Sequence, residues 1–216
     1  MPQKIILVRH GETEDNKARR FQGWKDTPLN IAGHEQAKKV AERLRGEHID
    51  ALYTSDLSRT VETAEHIARA LSIPAQKVHA LREHDMGIFT GWQWEVERDA
   101  EKEKLWAERE KAWQANDLNW SDGLGESLRE HLHRVSDFLE KIEADHQGHT
   151  IVLVSHGGTM NRVMEHYRLK TNMTTYTPYK NTAVTILESH AGAYRITIDN
   201  DTSHLTESIV LQSNDQ

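Results

Sequence analysis

The chain has 216 residues, of which 37% are hydrophobic and 28% are charged, a composition that excludes a membrane span and suits one sizeable globular core. It contains no cysteine, which excludes a disulfide framework and thiolate chemistry. The formal net charge of −7, with no basic stretch, argues against a nucleic-acid partner, so any anionic ligand must be held by a local cluster of positive charge.

The first predicted element is an apolar run at residues 5–8. This run is too short for the core of a signal peptide, and no small-residue cleavage site follows it, so we expect a cytoplasmic protein that begins with a buried strand. Helical and strand-like patterns then alternate. In chain order we predict a strand at 4–8, a helix at 37–44, a strand at 50–53, helices at 57–71 and 128–142, strands at 151–154 and 183–187, and a hairpin return at 193–199.

Polar residues at the starts of these helices are candidate N-caps. Asn30 precedes the first helix, Ser55 precedes the second, and Ser127 with Glu130 has capping-box spacing at the third. Because strands that alternate with helices form parallel sheets covered on both faces, the predicted fold class is α/β. We expect a three-layer α/β/α sandwich with a mostly parallel central sheet, an antiparallel edge strand and a helical insertion.

The segment at residues 93–117 differs from the rest, because charges of both signs interleave there with Trp94, Trp106 and Trp113. One interpretation is a charged surface helix. The other is a helical insertion, at about residues 92–120, whose tryptophans face inward and cover the mouth of a site. The chain has no internal repeat and no proline-rich linker, so we predict a single domain over residues 1–216 that carries this embellishment.

Histidines follow two of the predicted strands at the point where each strand ends. Arg9 and His10 close the first strand, and His156 follows the strand at 151–154. Ligands bind beyond the carboxyl ends of strands in an open parallel sheet, so we expect the two histidines to meet at one edge. A single histidine after a strand is more often structural, but two with this placement, each followed by glycine, favour a ligand site.

Arg59 is a third candidate, because it falls in the first turn of a predicted helix, where the helix dipole disfavours a cation. A nearby carboxylate, Asp56 or Glu62, would explain it structurally. The alternative is an anion clamp formed with Arg9, since guanidinium groups bind phosphate through parallel hydrogen bonds.

These residues belong to a longer ordered set that resembles the histidine phosphatase superfamily, the phosphoglycerate mutase-like proteins, over nearly the whole chain. The matching residues are Arg9-His10-Gly11-Glu12-Thr13, Asn16, Gln22-Gly23, Thr27-Pro28-Leu29, Gly33, Gln36-Ala37, Ser55-Asp56-Leu57-Ser58-Arg59-Thr60, Leu81-Arg82-Glu83, Gly87, Gly91, Gly125-Glu126-Ser127, Ser155-His156-Gly157-Gly158 and Asn181-Thr182-Ala183. The order of so many motifs makes the resemblance specific, whereas one Arg-His-Gly triplet would be weak.

The resemblance implies the residue roles. His10 would be the nucleophile that forms a phosphohistidine, with its other ring nitrogen held by the backbone near Gly11, and Glu83 would protonate the leaving oxygen and then activate water. The remaining catalytic residues would be Arg9, Arg59 and His156, and the phosphate-binding set would be Arg9, Asn16, Gln22, Gly23, Arg59, His156 and Gly157. No metal or other cofactor is expected, because the arginines supply the positive charge. His131 and His133 lie two apart on a predicted helix and cannot chelate together.

Three functions stay open on this basis. A metal-independent phosphatase of small phosphorylated metabolites is favoured, because the mutases carry a longer insertion, an "LNKAET"-like stretch and a C-terminal tail that this sequence does not match. The alternatives are a cofactor-dependent phosphoglycerate mutase and a non-catalytic phospho-ligand or protein-interaction module. Asp15, Thr90 and His84 depart from the family pattern and could alter substrate preference. The expected partner is a small phosphate ester, with neither nucleic acid nor membrane, and a homodimer is left open.

Overall fold

A computed structural model describes residues 1–93, 95–169 and 176–205. A six-stranded sheet with strand order β3-β2-β4-β1-β5-β6 forms its centre. The strands are β1 Lys4–Arg9, β2 Ala51–Thr54, β3 Ala75–Lys77, β4 Thr150–Ser155, β5 Val184–His190 and β6 Ala193–Asp201. The helices are α1 Glu14–Lys17, α2 Ile31–Leu44, α3 Ser58–Leu71, α4 Ala100–Gln114, α5 Leu128–Asp145 and α6 Gly157–His166, with short 3₁₀ turns at His79–Leu81 and Gly87–Phe89.

The sheet is parallel except at one side. Strands β3, β2, β4 and β1 run in the same direction, and β5 and β6 pair antiparallel beside β1. This arrangement confirms the predicted α/β class and the antiparallel edge. The sequence analysis missed β3, because this three-residue edge strand has no buried side chain and therefore no apolar run.

Alternate residues of the central strands face two separate cores. Ile5 and Leu7 of β1 pack with α5 and α6, whereas Ile6 and Val8 pack with α2 and α3. All four side chains are at most 1% exposed, since a parallel strand covered on both faces must be apolar on both. Burial on both sides anchors β1 firmly, so the residues directly after it are held in place.

Two of the three predicted helix caps are confirmed. The Asn30 side chain accepts a hydrogen bond from the Gly33 N–H at the start of α2. Ser127 and Glu130 form a reciprocal capping box at the start of α5. Each cap satisfies backbone N–H groups that have no partner within the helix.

The predicted Ser55 cap is wrong. Helix α3 begins at Ser58, and its N-cap residue, Leu57, makes no side-chain capping bond. The Asp26 carboxylate does this work instead, because it accepts hydrogen bonds from the Ser58 N–H at 2.7 Å and from the Ser58 hydroxyl at 2.8 Å. Ser55 Oγ instead accepts a hydrogen bond from the Leu57 N–H at 3.3 Å and lies 3.0 Å from His156 Nε2.

The charged segment contains the 15-residue helix α4, and Trp94 lies outside the described residues. None of the helices in the described ranges combines the length and the apolar character that crossing a bilayer requires.

Candidate active site

The two histidines predicted from the strand ends do meet. Strands β1 and β4 are neighbours, with Arg9 paired to Ser155, so the residues that follow them emerge side by side. The rings of His10 and His156 lie with centroids 5.2 Å apart, and the residues are 2% and 0% exposed. Two imidazoles are therefore buried together at the carboxyl edge of the sheet.

His10 is held in a single tautomer. Its Nδ1 lies 2.7 Å from the Gly11 carbonyl oxygen, and because a carbonyl can only accept, Nδ1 carries the proton and Nε2 keeps its lone pair. Burial lowers the pKa of His10 well below its usual 6.5, and the charges of Arg59 and Arg9 lower it further. The imidazole is therefore neutral at pH 6.5 and above.

The backbone after His10 packs directly against helix α2. A Cβ atom added to Gly11 would lie 2.5 Å from the Gly33 carbonyl oxygen, and one added to Gly33 would lie 2.1 Å from the Glu12 carbonyl oxygen. Both contacts are with backbone, which cannot move aside. The two glycines therefore let the His10 loop sit on the first turn of the helix.

Arg59 is 1% exposed and bonds to the loop before α2. Its Nη1 donates to the Lys25 carbonyl and its Nη2 to the Gly23 carbonyl, both at 2.8 Å, while its Nε donates to His156 Nδ1 at 3.2 Å. Burial lowers the pKa of Arg59 to about 10, so it remains a cation at neutral pH. These bonds fix the direction of the guanidinium group beside His10.

The alternative in which Arg59 pairs with Asp56 or Glu62 is wrong. Asp56 instead forms two hydrogen bonds with Arg82, at 2.7 and 2.9 Å. Glu62 accepts a hydrogen bond from the Leu29 N–H at 2.8 Å. Neither acid pairs with Arg59 within the described chain, so its buried charge is left for another anion.

Arg9 and Asn16 present donors that the protein does not use. Arg9 Nη1 donates to the Tyr179 carbonyl, whereas Arg9 Nε is buried and finds no hydrogen-bond partner among the described residues. The Asn16 side-chain oxygen accepts from the Thr13 N–H and from Asn181 Nδ2. Its own Nδ2 has no partner in the described ranges. Unmatched donors beside the buried His10 are suited to a bound anion.

Glu83 reaches the same place from a different loop. Its carboxylate accepts hydrogen bonds from the His84 N–H at 2.8 Å and from the Gly158 N–H at 3.0 Å. Its backbone carbonyl accepts from Trp24 Nε1 and from Arg134 Nη2, each at 2.7 Å. Hydrogen bonds thus fix both the carboxylate and the backbone carbonyl of Glu83.

Gly158 allows a direct test of this placement, because a Cβ atom there would lie 2.2 Å from Glu83 Oε1. We expect Gly158→Ala to displace the carboxylate and, given the acid role predicted for Glu83, to lower kcat/KM for alkyl phosphates by about 10²-fold, the usual cost of misplacing such a group. The melting temperature should hold or rise slightly, since alanine favours a helix. Steady-state kinetics and thermal unfolding measure the two effects.

Gly46→Ala is the matched control, because nothing lies within 4 Å of a Cβ atom added there and the residue is exposed. It should change neither property. Wild-type activity in Gly158→Ala would show that the Glu83 carboxylate does not need its present position.

Seven of the nine predicted site residues line one cavity of about 290 Å³. These are Arg9, His10, Asn16, Gln22, Gly23, Arg59 and Glu83. His156 lies behind them, with Nδ1 accepting from Arg59 and Nε2 lying 3.0 Å from Ser55 Oγ, so both ring nitrogens have protein partners. Gly157 is also off the cavity wall, and the space over it is occupied by the Tyr176 hydroxyl, 3.4 Å from where a Cβ would lie.

Two tryptophans of the charged segment face this cavity. Trp106 and Trp113 both lie on its wall, and Trp106 stacks on Phe21 with ring centroids 5.0 Å apart. Of the two interpretations of residues 93–117, the geometry therefore supports the helix that covers the mouth of a site. Most of its charged residues are exposed, whereas Arg109 lies on the cavity wall.

The sequence analysis missed several residues of the cavity wall. They are Arg20, Phe21, Met86, Arg109, Leu128, His131, Gly158, Arg162 and Tyr176, whereas His84, also on the wall, was named for its departure from the family pattern. One signal was present for Arg162, since it lies beside the apolar Met160, Val163 and Met164 in α6, where an arginine is unexpected. Of the others, Arg109, Leu128, His131 and Gly158 lie on helices α4, α5 and α6, and the rest lie on loops, so no single local pattern marks them.

His131 and His133 diverge as expected, and His131 joins a different group. His131 is buried, whereas His133 is exposed and contacts Asp137. Among the described residues, one cluster of possible metal ligands comprises His84, Glu126 and His131, with ligand atoms within 4.8 Å of one another.

Charge argues against a cation in this cluster. Both Glu126 oxygens already accept hydrogen bonds from Arg134, at 2.5 and 2.9 Å. Burial lowers the pKa values of His84 and His131, and nearby arginines lower them further. A field that repels a proton also repels a metal ion, so this part of the cavity is suited to an anion.

Comparison with known proteins gives a consistent set of matches. The model of the histidine phosphatase superfamily (branch 1) matches residues 5–202. Phosphoglycerate mutase-like protein 4 of Arabidopsis thaliana is 36% identical over 97% of this chain and 90% of its own length. Metal-independent phosphoserine phosphatase of the same plant is 34% identical, over 97% and 86%. The crystal structure of an Entamoeba histolytica phosphoserine phosphatase mutant in complex with phosphoserine superposes with a TM-score of 0.80, at 28% identity over 95% of this chain and 100% of that one.

Proposed function

This chain belongs to the histidine phosphatase superfamily (branch 1), and we propose that it hydrolyses small phosphorylated metabolites through a phosphohistidine at His10. It is a phosphomonoester hydrolase, in keeping with relatives and structural neighbours named as phosphoserine phosphatases. The observation that carries the mechanism is the buried, neutral His10, whose Nδ1 is tied to Gly11 and whose neighbours are two arginines.

In the first step, His10 Nε2 attacks the phosphorus in line with the leaving oxygen. The N–P bond forms as the P–O bond to the leaving group breaks, and the Glu83 carboxyl gives its proton to the leaving oxygen. The alcohol departs, and the phosphoryl group stays on His10. The Gly11 carbonyl stabilises the positive charge that develops on the imidazole, because it accepts the Nδ1 proton.

In the second step, water attacks the phosphohistidine. The Glu83 carboxylate, left without its proton, takes one from the water as the new O–P bond forms and the N–P bond breaks. Inorganic phosphate and the starting enzyme result, with the proton back on Glu83. The same residue thus serves as acid and then as base.

Arg9 and Arg59 match the charge of the phosphoryl dianion, and Asn16 adds a neutral donor. Preorganised donors of this kind act on the charge of the transition state, and removing one typically costs about 10²–10³-fold in rate. We propose no metal ion, because the two guanidinium groups supply the positive charge. His156 supports the set by accepting the Arg59 Nε proton, which aims that guanidinium at the cavity.

The cofactor-dependent mutase is the second candidate, and a relative named phosphoglycerate mutase-like keeps it in view. A mutase returns the phosphoryl group to a bound acceptor, whereas a phosphatase gives it to water. A purely binding module would need neither the tautomer of His10 nor the carboxylate of Glu83.

A single domain over residues 1–216, a cytoplasmic location and a homodimer stay predictions.

The test is hydrolysis of a panel of phosphorylated metabolites in buffer that contains EDTA. We expect release of inorganic phosphate at a rate that the chelator does not change, with kcat/KM differing among the panel. Dialysis against EDTA followed by addition of Mg²⁺ or Zn²⁺ is the control. Loss of activity on chelation, restored by a metal, would contradict the mechanism, and isomerisation of phosphoglycerates without phosphate release would favour the mutase.

A further inference from the structure

We propose that Arg134 of α5 is a positioning residue for the reaction, because it holds the backbone of the loop that carries Glu83 and thereby sets the place of the carboxylate. This inference rests on the acid and base roles proposed for Glu83 and adds a residue that those roles depend on. Arg134 is not among the described residues that line the cavity, so it acts on the substrate only through Glu83.

The loop that carries Glu83 is held by side chains rather than by a helix or a strand. Residues 82–86 lie between two short 3₁₀ turns and belong to no regular element. Four consecutive carbonyl groups, those of residues 80–83, each accept at least one hydrogen bond from a side chain. The donors are Trp24, Arg134, Ser155 and Thr159. These side chains do for the loop what backbone ladders do for helices and strands.

Arg134 binds three of these four carbonyls. Its Nη1 donates to the Ala80 and Arg82 carbonyls, both at 2.8 Å, and its Nη2 donates to the Glu83 carbonyl at 2.7 Å. One planar group thus spans Glu83 and the turn before it. Because the partners are 51 to 54 residues apart in sequence, helix α5 determines where this loop lies.

Glu126 fixes the orientation of the Arg134 guanidinium group. Arg134 Nε donates to Glu126 Oε2 at 2.9 Å and Nη2 donates to Oε1 at 2.5 Å, while Oε1 also accepts from the Asp85 N–H at 3.0 Å. The two side chains are 16% and 12% exposed. A guanidinium group has five N–H donors, and all five have acceptors here, two on Glu126 and three on the loop.

Trp24 packs over the same group. Its Nε1 donates to the Glu83 carbonyl at 2.7 Å, and the centre of its ring lies 5.9 Å from the guanidinium carbon of Arg134 and 5.0 Å from that of Arg82. An aromatic face against a guanidinium group restrains both side chains. The two donors that hold the Glu83 carbonyl therefore also hold each other.

Glu83 is thus tied to two different helices. Its carbonyl is bound by Arg134 of α5, and its carboxylate accepts from the Gly158 N–H of α6 at 3.0 Å. A general acid must lie within hydrogen-bond reach of the leaving oxygen, and a displacement of about 1 Å costs about 10²-fold in rate. Release of the carbonyl should therefore impair proton transfer and leave His10 in place.

The experiment measures how the activity of Arg134→Lys depends on the leaving group. Lysine keeps the charge but has one nitrogen, which cannot bond to Glu126 and three carbonyls at once. We expect kcat/KM for alkyl phosphates to fall by about 10²-fold. The fall for p-nitrophenyl phosphate should be much smaller, because nitrophenolate needs no proton from Glu83.

The ratio of these two rates separates positioning from folding. It does not depend on the fraction of the protein that is folded, so a merely structural role of Arg134 would leave it unchanged. The inhibition constant of inorganic phosphate should stay as in the wild type, since Arg9 and Arg59 bind elsewhere. A wild-type ratio in folded Arg134→Lys would overturn the inference.

Arg43→Lys is the matched control. Arg43 also lies on a helix, its side chain is 19% exposed, and its Nη2 lies 2.6 Å from a carboxylate oxygen of Asp201. It is off the cavity wall and makes no contact with the loop of Glu83 among the described hydrogen bonds. This variant should keep the wild-type ratio.

A second variant covers the case in which Arg134→Lys does not fold. Arg134→Met combined with Glu126→Met replaces the buried ion pair by apolar side chains, a change that is often tolerated by the fold. It should lower the ratio in the same way, because the carbonyls again lose their donor. Retention of the wild-type ratio in this folded double variant would equally overturn the inference.

Glu83→Gln shows whether Arg134 acts through Glu83. In the Glu83→Gln background, Arg134→Lys should lower the turnover of alkyl phosphates little further, because the proton donor is already absent. Losses that multiply would show that Arg134 acts independently and would overturn the inference.

The same single variant separates this inference from the proposed function. If Glu83→Gln leaves the ratio unchanged, the acid role fails and the positioning role fails with it. If Glu83→Gln lowers the ratio and Arg134→Lys does not, the proposed function stands and only the role of Arg134 is wrong.

Discussion

His10→Ala should abolish turnover, with a loss in kcat of at least about 10⁴-fold, because no other group can form the covalent intermediate. In the wild type, rapid quenching during turnover should trap a phosphoenzyme that is labile in acid and stable in alkali, the behaviour of an N–P bond. His10→Ala should yield none. The Gly11 carbonyl loses its partner in this variant, so the free energy of unfolding should fall by about 1–3 kcal/mol.

His166→Ala is the matched control for this experiment. His166 is a partly buried histidine bonded to Ser136 and lies off the cavity wall. It should keep both the phosphoenzyme and the turnover. Turnover by folded His10→Ala near the wild-type rate, or a trapped phosphoenzyme that survives acid, would assign the nucleophile to another residue.

Glu83→Gln should separate substrates by their leaving groups. The amide cannot donate the proton, so alkyl phosphates should lose about 10²–10⁴-fold in kcat/KM. The loss on p-nitrophenyl phosphate should be much smaller, because nitrophenolate leaves without protonation. A plot of log kcat/KM against leaving-group pKa should therefore become steeper in the variant.

Breakdown of the phosphohistidine gives a second readout for Glu83. Without the base, the phosphoenzyme should accumulate with p-nitrophenyl phosphate and give a burst of nitrophenolate. Glu103→Gln, at an exposed position of α4, is the control and should change neither readout. Equal losses on both substrates, with no burst, would place the acid and base roles elsewhere.

Part of this site could be predicted because its determinants are local. A buried parallel strand needs a continuous apolar run, as in residues 5–8, and the run ends where the strand meets solvent. Strands β1 and β4 are adjacent and parallel, so the histidines after them had to emerge at the same edge. The contact of His10 with Gly11 was implied by the resemblance, whereas the contacts of Arg59 with Gly23 and Lys25 were not predicted.

Other features depend on contacts between distant parts of the chain. Asp26 caps α3 from 32 residues away, and Ser55, the predicted cap, lies against His156, 101 residues away. Arg134 holds the Glu83 carbonyl across 51 residues. No periodicity or short motif encodes such a pair, because neither residue is distinguished by its own sequence neighbours.

The sequence by itself determined the α/β class, the family and the edge of the sheet where His10 and His156 meet, because apolar patterning and the order of motifs act locally. Only the tertiary structure decided what surrounds the phosphate site. It turned Trp106 and Trp113 toward the cavity, and it brought Arg109 of α4 and Arg162 of α6 to the same space. Long-range packing sets these positions, since a helix surface presents side chains in every direction and its neighbours select the face that is covered.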